Sequence, residues 1–223
     1  RSLKRHNTDY IDLFQSHRDD PDTPIEETLD AYRQLIDAGK VRAIGASNFT
    51  AARLAESLKV SAATGLPRYE SLQPWYNLYD RAMFEGPLAD LCRREDLGVV
   101  SYFSLASGFL TGKYRKESDF ANSPRGYRVK DMMNERGLRI LAALDTVSAQ
   151  TGGTPAQISL AWLLARGVTA PIASATSVKQ LEELLGALTL RLPAESLALL
   201  DQASGGDVAD RPRAPPPRPS KAQ

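Results

Sequence analysis

Asp9-Tyr10-Ile11-Asp12-Leu13-Phe14-Gln15-Ser16-His17 decides how the rest of this chain is read. Tyr10, Ile11, Leu13 and Phe14 favour β-structure and are largely apolar, as in a strand buried on both faces of a parallel sheet. The run ends in a histidine and breaks into Arg18-Asp19-Asp20-Pro21-Asp22, which is loop chemistry. A buried strand that releases a histidine at its carboxyl end is how α/β folds place catalytic groups.

The arrangement recurs downstream. Strands are expected at 41–46, leading into Ser47 and Asn48, at 71–77 (with Pro74 counting against it), at 99–103 and at 169–173. Between them lie helical stretches. Thr23-Pro24-Ile25-Glu26 reads as a capping box with proline at the first helical position, and Gly39 stops that helix. Thr50 caps the next helix, which Gly65 closes. Further helices are expected near 87–96, 135–151, 155–165 and 193–203. Thr154-Pro155-Ala156-Gln157 is a second capping box, and Ser177 with Gln180 caps a helix carrying Val178, Leu181, Leu185 and Leu188 on one side. A polar insertion runs from about Gly108 to Asn134. Strands about 30 residues apart, alternating with helices, give parallel sheets with right-handed crossovers, closed as a barrel or doubly wound. No Gly-x-Gly-x-x-Gly follows any strand, which counts against the dinucleotide-binding doubly wound type.

A chain of 223 residues with 28 basic and 27 acidic side chains is most simply one domain, and its charge points neither to nucleic acid nor to an acidic ligand. Four of the basic residues fall in 211–223, leaving residues 1–210 with 24 basic against 27 acidic, a net −3. That tail, Arg211-Pro212-Arg213-Ala214-Pro215-Pro216-Pro217-Arg218-Pro219 and beyond, has no composition for a core and is expected to be disordered or polyproline-like. One cysteine, Cys92, excludes an internal disulfide and fits a reducing, cytoplasmic setting. No apolar run reaches the roughly 20 residues of a membrane span. Two histidines and one cysteine make no convincing metal site. Ser107-Gly108-Phe109-Leu110-Thr111-Gly112-Lys113 looks like a phosphate loop, but three residues separate the glycines and Tyr114 follows the lysine, so the Walker pattern fails.

Five segments carry a resemblance: DYIDLFQSH at 9–17, VRAIGASNF at 41–49, SLQPWYNLYDR at 71–81, SYFSLASGFLTGKY at 101–114 and PIASATSVKQLEELL at 171–185. In this order they resemble the aldo-keto reductase superfamily, over roughly residues 2–204. The resemblance implies an α/β (β/α)₈ TIM barrel, of which this chain would hold about the last five β/α units in residues 1–206, starting just before the fourth strand. It implies NADP(H), with NAD(H) left open, bound across the carboxyl face, and reduction of a small-molecule carbonyl substrate, an aldehyde or ketone. A nicotinamide-binding module without turnover, like the channel-associated β subunits of the superfamily, is the alternative; an inactive remnant is a third.

Of the family's catalytic aspartate, tyrosine, lysine and histidine, only the histidine has a match, at His17, which would orient the carbonyl. Alone, His17 would pass for a loop histidine. By resemblance Ser47, Asn48 and Gln73 hold the nicotinamide carboxamide and Tyr102 stacks on its ring. Leu105, Gly108, Leu110, Gly112 and Lys113 then form a loop over the pyrophosphate, with Arg128 as a further cation. Ser174, Thr176, Ser177, Lys179, Gln180 and Glu183 receive the adenosine end. Two departures stand out: Leu184 replaces a usual asparagine, and Gln180 sits where some relatives carry a phosphate-pairing arginine. The expected preference for NADPH over NADH is therefore modest. Substrate identity and oligomeric state are not set by these residues.

Overall fold

The computed structural model describes residues 2–116, 118–121 and 126–205. The proline- and arginine-rich tail at 207–223 and the side chain of Arg128 lie outside the described residues. Among the described residues, a short helix α1 (Ser2–His6) precedes β1 (Ile11–Ser16), α2 (Ile25–Asp37), β2 (Val41–Ser47), α3 (Ala51–Thr64), β3 (Tyr69–Gln73), α4 (Pro87–Arg94) and β4 (Gly98–Val99). The four strands are parallel in the order β1-β2-β3-β4, each joined to the next through one helix. Chain order and spatial order coincide, so the sheet winds in one direction with no reversal.

Local chemistry explains most boundaries. Thr50 Oγ1 accepts the Arg53 N–H at the start of α3, and Gly65, at φ 71°, ends it in the left-handed conformation that costs glycine little. The first expected capping box does not form. Pro24 occupies the cap position without a side-chain bond, and Thr23 Oγ1 instead donates to Asp20 Oδ2 at 3.1 Å. The Asp20–Thr23 turn offers that hydroxyl a nearer acceptor than the helix end does. β3 begins two residues before the expected strand and stops ahead of Pro74, which has no N–H for the ladder. Pairing resumes beyond it, where Trp75 bridges Tyr102 and the Tyr102 N–H donates to the Pro74 carbonyl at 2.9 Å.

No strand forms at the expected fifth position, 169–173. Thr169 and Ile172 donate to the Val99 and Ser101 carbonyls at 2.8 Å each. The return bond from Val99 goes to the Thr169 hydroxyl at 3.0 Å, and Pro171 removes one donor, so only one side of the pairing forms.

Past β4, α5 (Ser118–Ala121) and α6 (Gly126–Val129) lead to α7 (Glu135–Thr151), α8 (Pro155–Ala165), α9 (Val178–Leu185) and α10 (Ala194–Ser204). Thr154 and Gln157 form the second capping box reciprocally, at 2.9 and 3.3 Å. Trp162 of α8 is fully buried and donates through Nε1 to Asp201 Oδ1 at 3.0 Å, while Arg81 reaches the Ser204 hydroxyl at 2.9 Å. These bonds tie α10 to α8 and to the loop after β3. The apolar side of α9 faces outward: Val178, Leu181 and Leu185 are exposed, as is Leu188 in the turn that follows the helix.

Gly45 lies mid-sheet, paired with Gln15 on one side and Ser71 on the other. An added Cβ there would collide with the Ser71 hydroxyl and come within 3.1 Å of Gln15 Cγ. That hydroxyl and Gln15 Oε1 are buried without hydrogen-bond partners. Gly45→Ala should therefore cost about 1–3 kcal/mol of stability. Ser71→Ala alone should be close to neutral, since it removes an unsatisfied polar group. The double variant should recover most of the loss; urea denaturation of all four proteins measures the coupling.

Candidate functional site

Two groups of side chains meet at the carboxyl end of the sheet. The first is a hydrogen-bonded chain that links the ends of all four strands. Ser47, at the end of β2 and buried, donates from Oγ to the Gln73 carbonyl at 2.9 Å. Asn48 follows at φ 58°, and its Nδ2 donates to the His17 carbonyl at 2.9 Å and to Ser47 Oγ at 3.1 Å. Asn48 Oδ1 accepts the Tyr102 phenol at 2.7 Å. His17, Ser47, Asn48, Gln73 and Tyr102 thus come together although they are spread over more than 80 residues of sequence. His17 is exposed, just beyond the last residue of β1.

The second group lines a groove of about 930 Å³, within the usual range of about 300–1,000 Å³ for ligand pockets. One wall is the turn after β4. Phe103, Ala106, Ser107 and Gly108 all have positive φ, 56°, 48°, 58° and 96°. Within this turn the Ala106 and Gly108 N–H groups donate to the Phe103 and Leu105 carbonyls, at 2.7 and 2.8 Å. Lys113 lies across Gly108, where an added Cβ would come within 3.3 Å of Nζ. Only a glycine leaves that stem its present path.

The opposite wall runs from Ile172 and Ser174 to Thr176, Gln180, Glu183 and Leu184. Ser177 caps α9 by accepting the Gln180 N–H at 3.2 Å, and Gln180 Oε1 accepts both Thr176 N and Thr176 Oγ1, at 2.8 and 2.9 Å. Tyr102 lines this groove and also belongs to the hydrogen-bonded chain, so it joins the two groups. The cavity carries a cation, Lys113, beside its left-handed turn.

Not every expected residue lines it. Leu105, Gly108, Lys113, Ser174, Thr176, Gln180 and Glu183 do. Leu110 is fully buried core, and Gly112 at φ 75° packs beneath the Arg115 guanidinium, which is clamped to Asp145 at 2.7 Å through each of two nitrogens. Ser177 acts as a cap, and Lys179 is exposed outside the lining. No group of three His, Cys, Asp or Glu side chains able to hold a metal occurs among the described residues.

The arrangement depends on a residue that motif spacing does not single out. Asn77 is wholly buried; its Oδ1 accepts the Tyr79 and Asp80 N–H groups at 2.8 and 2.9 Å. Its Nδ2 donates to Asp80 Oδ2 and to the Phe103 carbonyl, both at 3.0 Å. Asp80 in turn receives the Trp75 indole N–H at 2.9 Å, and the Trp75 ring lies 5.0 Å from Phe103 and 6.0 Å from Tyr102. The available signal is an Asn two residues ahead of a turn, the Asx pattern.

Burial dominates the titration of the phenols here. It raises Tyr102, an effect that Arg18 opposes and Asp80 adds to, so the phenol stays protonated and keeps donating to Asn48. Tyr69, beneath the end of β1, has its hydroxyl 3.1 Å from Ser16 Oγ, which is 2.6 Å from the Tyr32 hydroxyl. Burial pushes Tyr69 up to about 12 from an ordinary 10.0.

The Aldo/keto reductase family profile matches residues 1–204. The chain is 34% identical over 211 residues to the L-glyceraldehyde 3-phosphate reductase of Escherichia coli (strain K12), covering 91% of this chain and 60% of that protein. It is 30% identical to the aldo-keto reductase yakc [NADP(+)] of Schizosaccharomyces pombe (99% and 65% covered), and 33% identical to a probable voltage-gated potassium channel subunit beta of Oryza sativa subsp. japonica (84% and 59%). The chain thus spans about 60% of the length of the curated relatives it matches. No helix among the described residues is long and apolar enough to cross a membrane.

Because Tyr69 is held neutral in the fold, its contribution to stability is complete below pH 10 and is lost as pH rises through about 12. Between those values the parent should lose roughly 3 kcal/mol more stability than Tyr69→Phe. Denaturant unfolding of both proteins at stepped alkaline pH measures the difference. From the profile match over residues 1–204 and relatives that are themselves reductases, this chain belongs to the aldo/keto reductase family.

Proposed function

We propose that this chain forms the cofactor-bearing arc of a (β/α)₈ barrel and serves an NADP(H)-dependent oxidoreductase that reduces small aldehydes or ketones to alcohols. The observation that carries the reading is the hydrogen-bonded chain from His17 through Asn48 to Tyr102, whose last member lines a groove that also holds the cation Lys113. Support for the barrel comes from the one-directional order β1-β2-β3-β4; a doubly wound sheet reverses at a switch point. Support for reductase chemistry comes from the family and from relatives named as reductases.

When bound, the dinucleotide supplies the hydride. The chain's own residues bind and orient. Tyr102 offers its ring face to the nicotinamide, while Ser47, Asn48 and Gln73 take the carboxamide. The left-handed turn at 103–108 and Lys113 hold the diphosphate, and the start of α9 receives the adenosine. His17, exposed beside this end, donates a hydrogen bond that orients the substrate carbonyl. Tyr102 is not a proton source in this scheme, since its phenol is raised by burial and committed to Asn48.

Tyr102→Ala should weaken dinucleotide binding by about tenfold or more, the scale of one lost stacking surface, whereas Tyr102→Phe should retain most affinity. Titrating either protein against the change in its intrinsic fluorescence measures this; unchanged affinity in Tyr102→Ala would remove the nicotinamide from this end. His17→Gln should leave dinucleotide affinity alone and lower kcat/KM for carbonyl reduction by about 10- to 100-fold. Following reduced nicotinamide in steady-state assays reads that outcome. Binding without reduction of any carbonyl would favour a nicotinamide-binding module instead.

A further inference from the structure

The turn that carries Asn77 meets the sheet on one side and two helices distant in sequence on the other. Arg136, in the first turn of α7, joins these helices to it. Its Nη2 donates to the Tyr79 carbonyl at 2.7 Å and to the Ser204 carbonyl at 2.9 Å, and its Nε reaches the Ser204 carbonyl at 3.2 Å. The guanidinium carbon lies 4.8 Å from the centre of the Tyr79 ring. Asn134, the cap of α7, donates from Nδ2 to the Tyr79 hydroxyl at 2.7 Å. Tyr79 is thus held at its carbonyl, its ring and its hydroxyl. Ser204 is the buried last residue of α10, and its hydroxyl also receives Arg81 Nη1.

These contacts bear on the site through a short relay. The Ser204 carbonyl is one of those that a helix end leaves without an intrahelical donor, and a cation there is favoured by the negative end of the helix. Hydrogen bonds from a charged donor are about twice as strong as neutral ones, and the planar guanidinium serves two carbonyls at once. The Tyr79 held in this way donates its N–H to Asn77 Oδ1, and Asn77 Nδ2 holds the Phe103 carbonyl. Phe103 has φ 56°, a conformation that persists only where its surroundings impose it. Loss of the grip on Tyr79 loosens the Asn77 amide and lets Phe103 relax, and Phe103 adjoins Tyr102 in the chain. Arg136 itself does not line the groove.

Resting on the cofactor reading above, we infer that Arg136 is a positioning residue for dinucleotide binding. It acts through Tyr79, Asn77 and Phe103 on the aim of the Tyr102 ring, and it makes the carboxyl end of α10 part of the support of the site.

The test compares the full-length parent with Arg136→Ala, Arg136→Lys and Val147→Ala. Val147 is fully buried three turns further along α7, so its truncation destabilises the fold by a cavity without touching the turn. NADP⁺ titrations should show a loss of about tenfold in Arg136→Ala, a smaller loss of about threefold in Arg136→Lys, and none in Val147→Ala. Guanidinium chloride at about 10 mM, far below denaturing concentrations, should restore part of the affinity to Arg136→Ala, where sodium chloride does not. A readout without dinucleotide is acrylamide quenching of tryptophan emission. Trp162 is fully buried and Trp75 is 8% exposed, so quenching should rise in Arg136→Ala as Trp75 loosens, and stay at the parent level in Val147→Ala. Equal NADP⁺ affinity in the parent and both Arg136 variants, or an equal loss in Val147→Ala, would overturn the inference and leave the cofactor reading intact. A parent that binds no dinucleotide would overturn the cofactor reading; unchanged quenching in the Arg136 variants would then overturn the positioning role as well. Should Arg136→Ala fail to fold, Arg136→Lys carries the same comparisons.

Discussion

Asn77 uses its whole amide inside the protein: two backbone N–H groups on the oxygen, a carboxylate and a carbonyl on the nitrogen. With no exposure to water, every one of those bonds would be costly to lose without replacement. Its partners belong to different elements. Tyr79 and Asp80 lie on the loop that leaves β3, and Phe103 opens the turn after β4. Fixing the Phe103 carbonyl fixes the direction in which Tyr102 leaves the sheet, and Asp80 fixes the Trp75 indole that packs against both rings. The hydrogen-bonded chain to Asn48 and His17 then has a rigid end to attach to.

That rigidity offsets backbone strain. Asn48, Phe103, Ala106 and Ser107 hold positive φ without being glycine, and each such residue costs on the order of 1 kcal/mol or more. Asparagine tolerates the conformation best, and Asn48 is also the residue whose amide bridges β1 and β4. Phe103 has no such tolerance; Asn77 and the Ala106 N–H both bind its carbonyl. Gly108 alone in the turn adopts its φ freely, and it is also where the Lys113 stem passes. The sheet supplies the positions, and the strained turns aim the side chains.

Legibility in the sequence depends on the range of the interactions involved. The helix at 135–151 and the one at 155–165 have the expected bounds because their signals are local: Asn134 and Thr154 as caps, Gly152 as a left-handed stop. Thr23 misleads because a capping motif competes with whatever acceptor lies nearby, here Asp20. The expected strand at 169–173 does not form: the stretch bonds to the Val99 and Ser101 carbonyls, but the Thr169 hydroxyl replaces a backbone acceptor, which no periodicity encodes. Of the site, motifs in order bring out Ser47, Asn48, Gln73 and Tyr102, and the fold links them. Leu110 and Gly112 share the groove's loop in sequence but turn into the core or under Arg115, because the left-handed run at 106–108 rotates the residues beyond it. Asn77 stands inside the segment 71–81, yet its four bonds are long-range or depend on a turn, and so are invisible to motif spacing.

The hydrogen-bond capacity left over at the sheet's end bears on what it can receive. Both Asn48 Nδ2 protons are used, on His17 and Ser47, and the Ser47 proton is used on Gln73. What remains at Asn48 is the second lone pair of Oδ1, beside the one that takes the Tyr102 phenol. Asn48 can therefore accept an incoming N–H without breaking any existing bond, and it has no proton to offer a carbonyl. A primary amide carries both needs, a donor for Asn48 and an acceptor for some other group. The Gln73 side chain, next to Ser47 in the strand register, is the amide able to complete the pair. Under the proposed cofactor reading, such an amide would need no rearrangement of the chain from His17 to Tyr102, and its affinity would not be reduced by a prior conformational step. The same fixed donors and acceptors would hold a carboxamide in one orientation relative to the Tyr102 ring, which is the condition for presenting one face of a nicotinamide to a carbonyl oriented by His17.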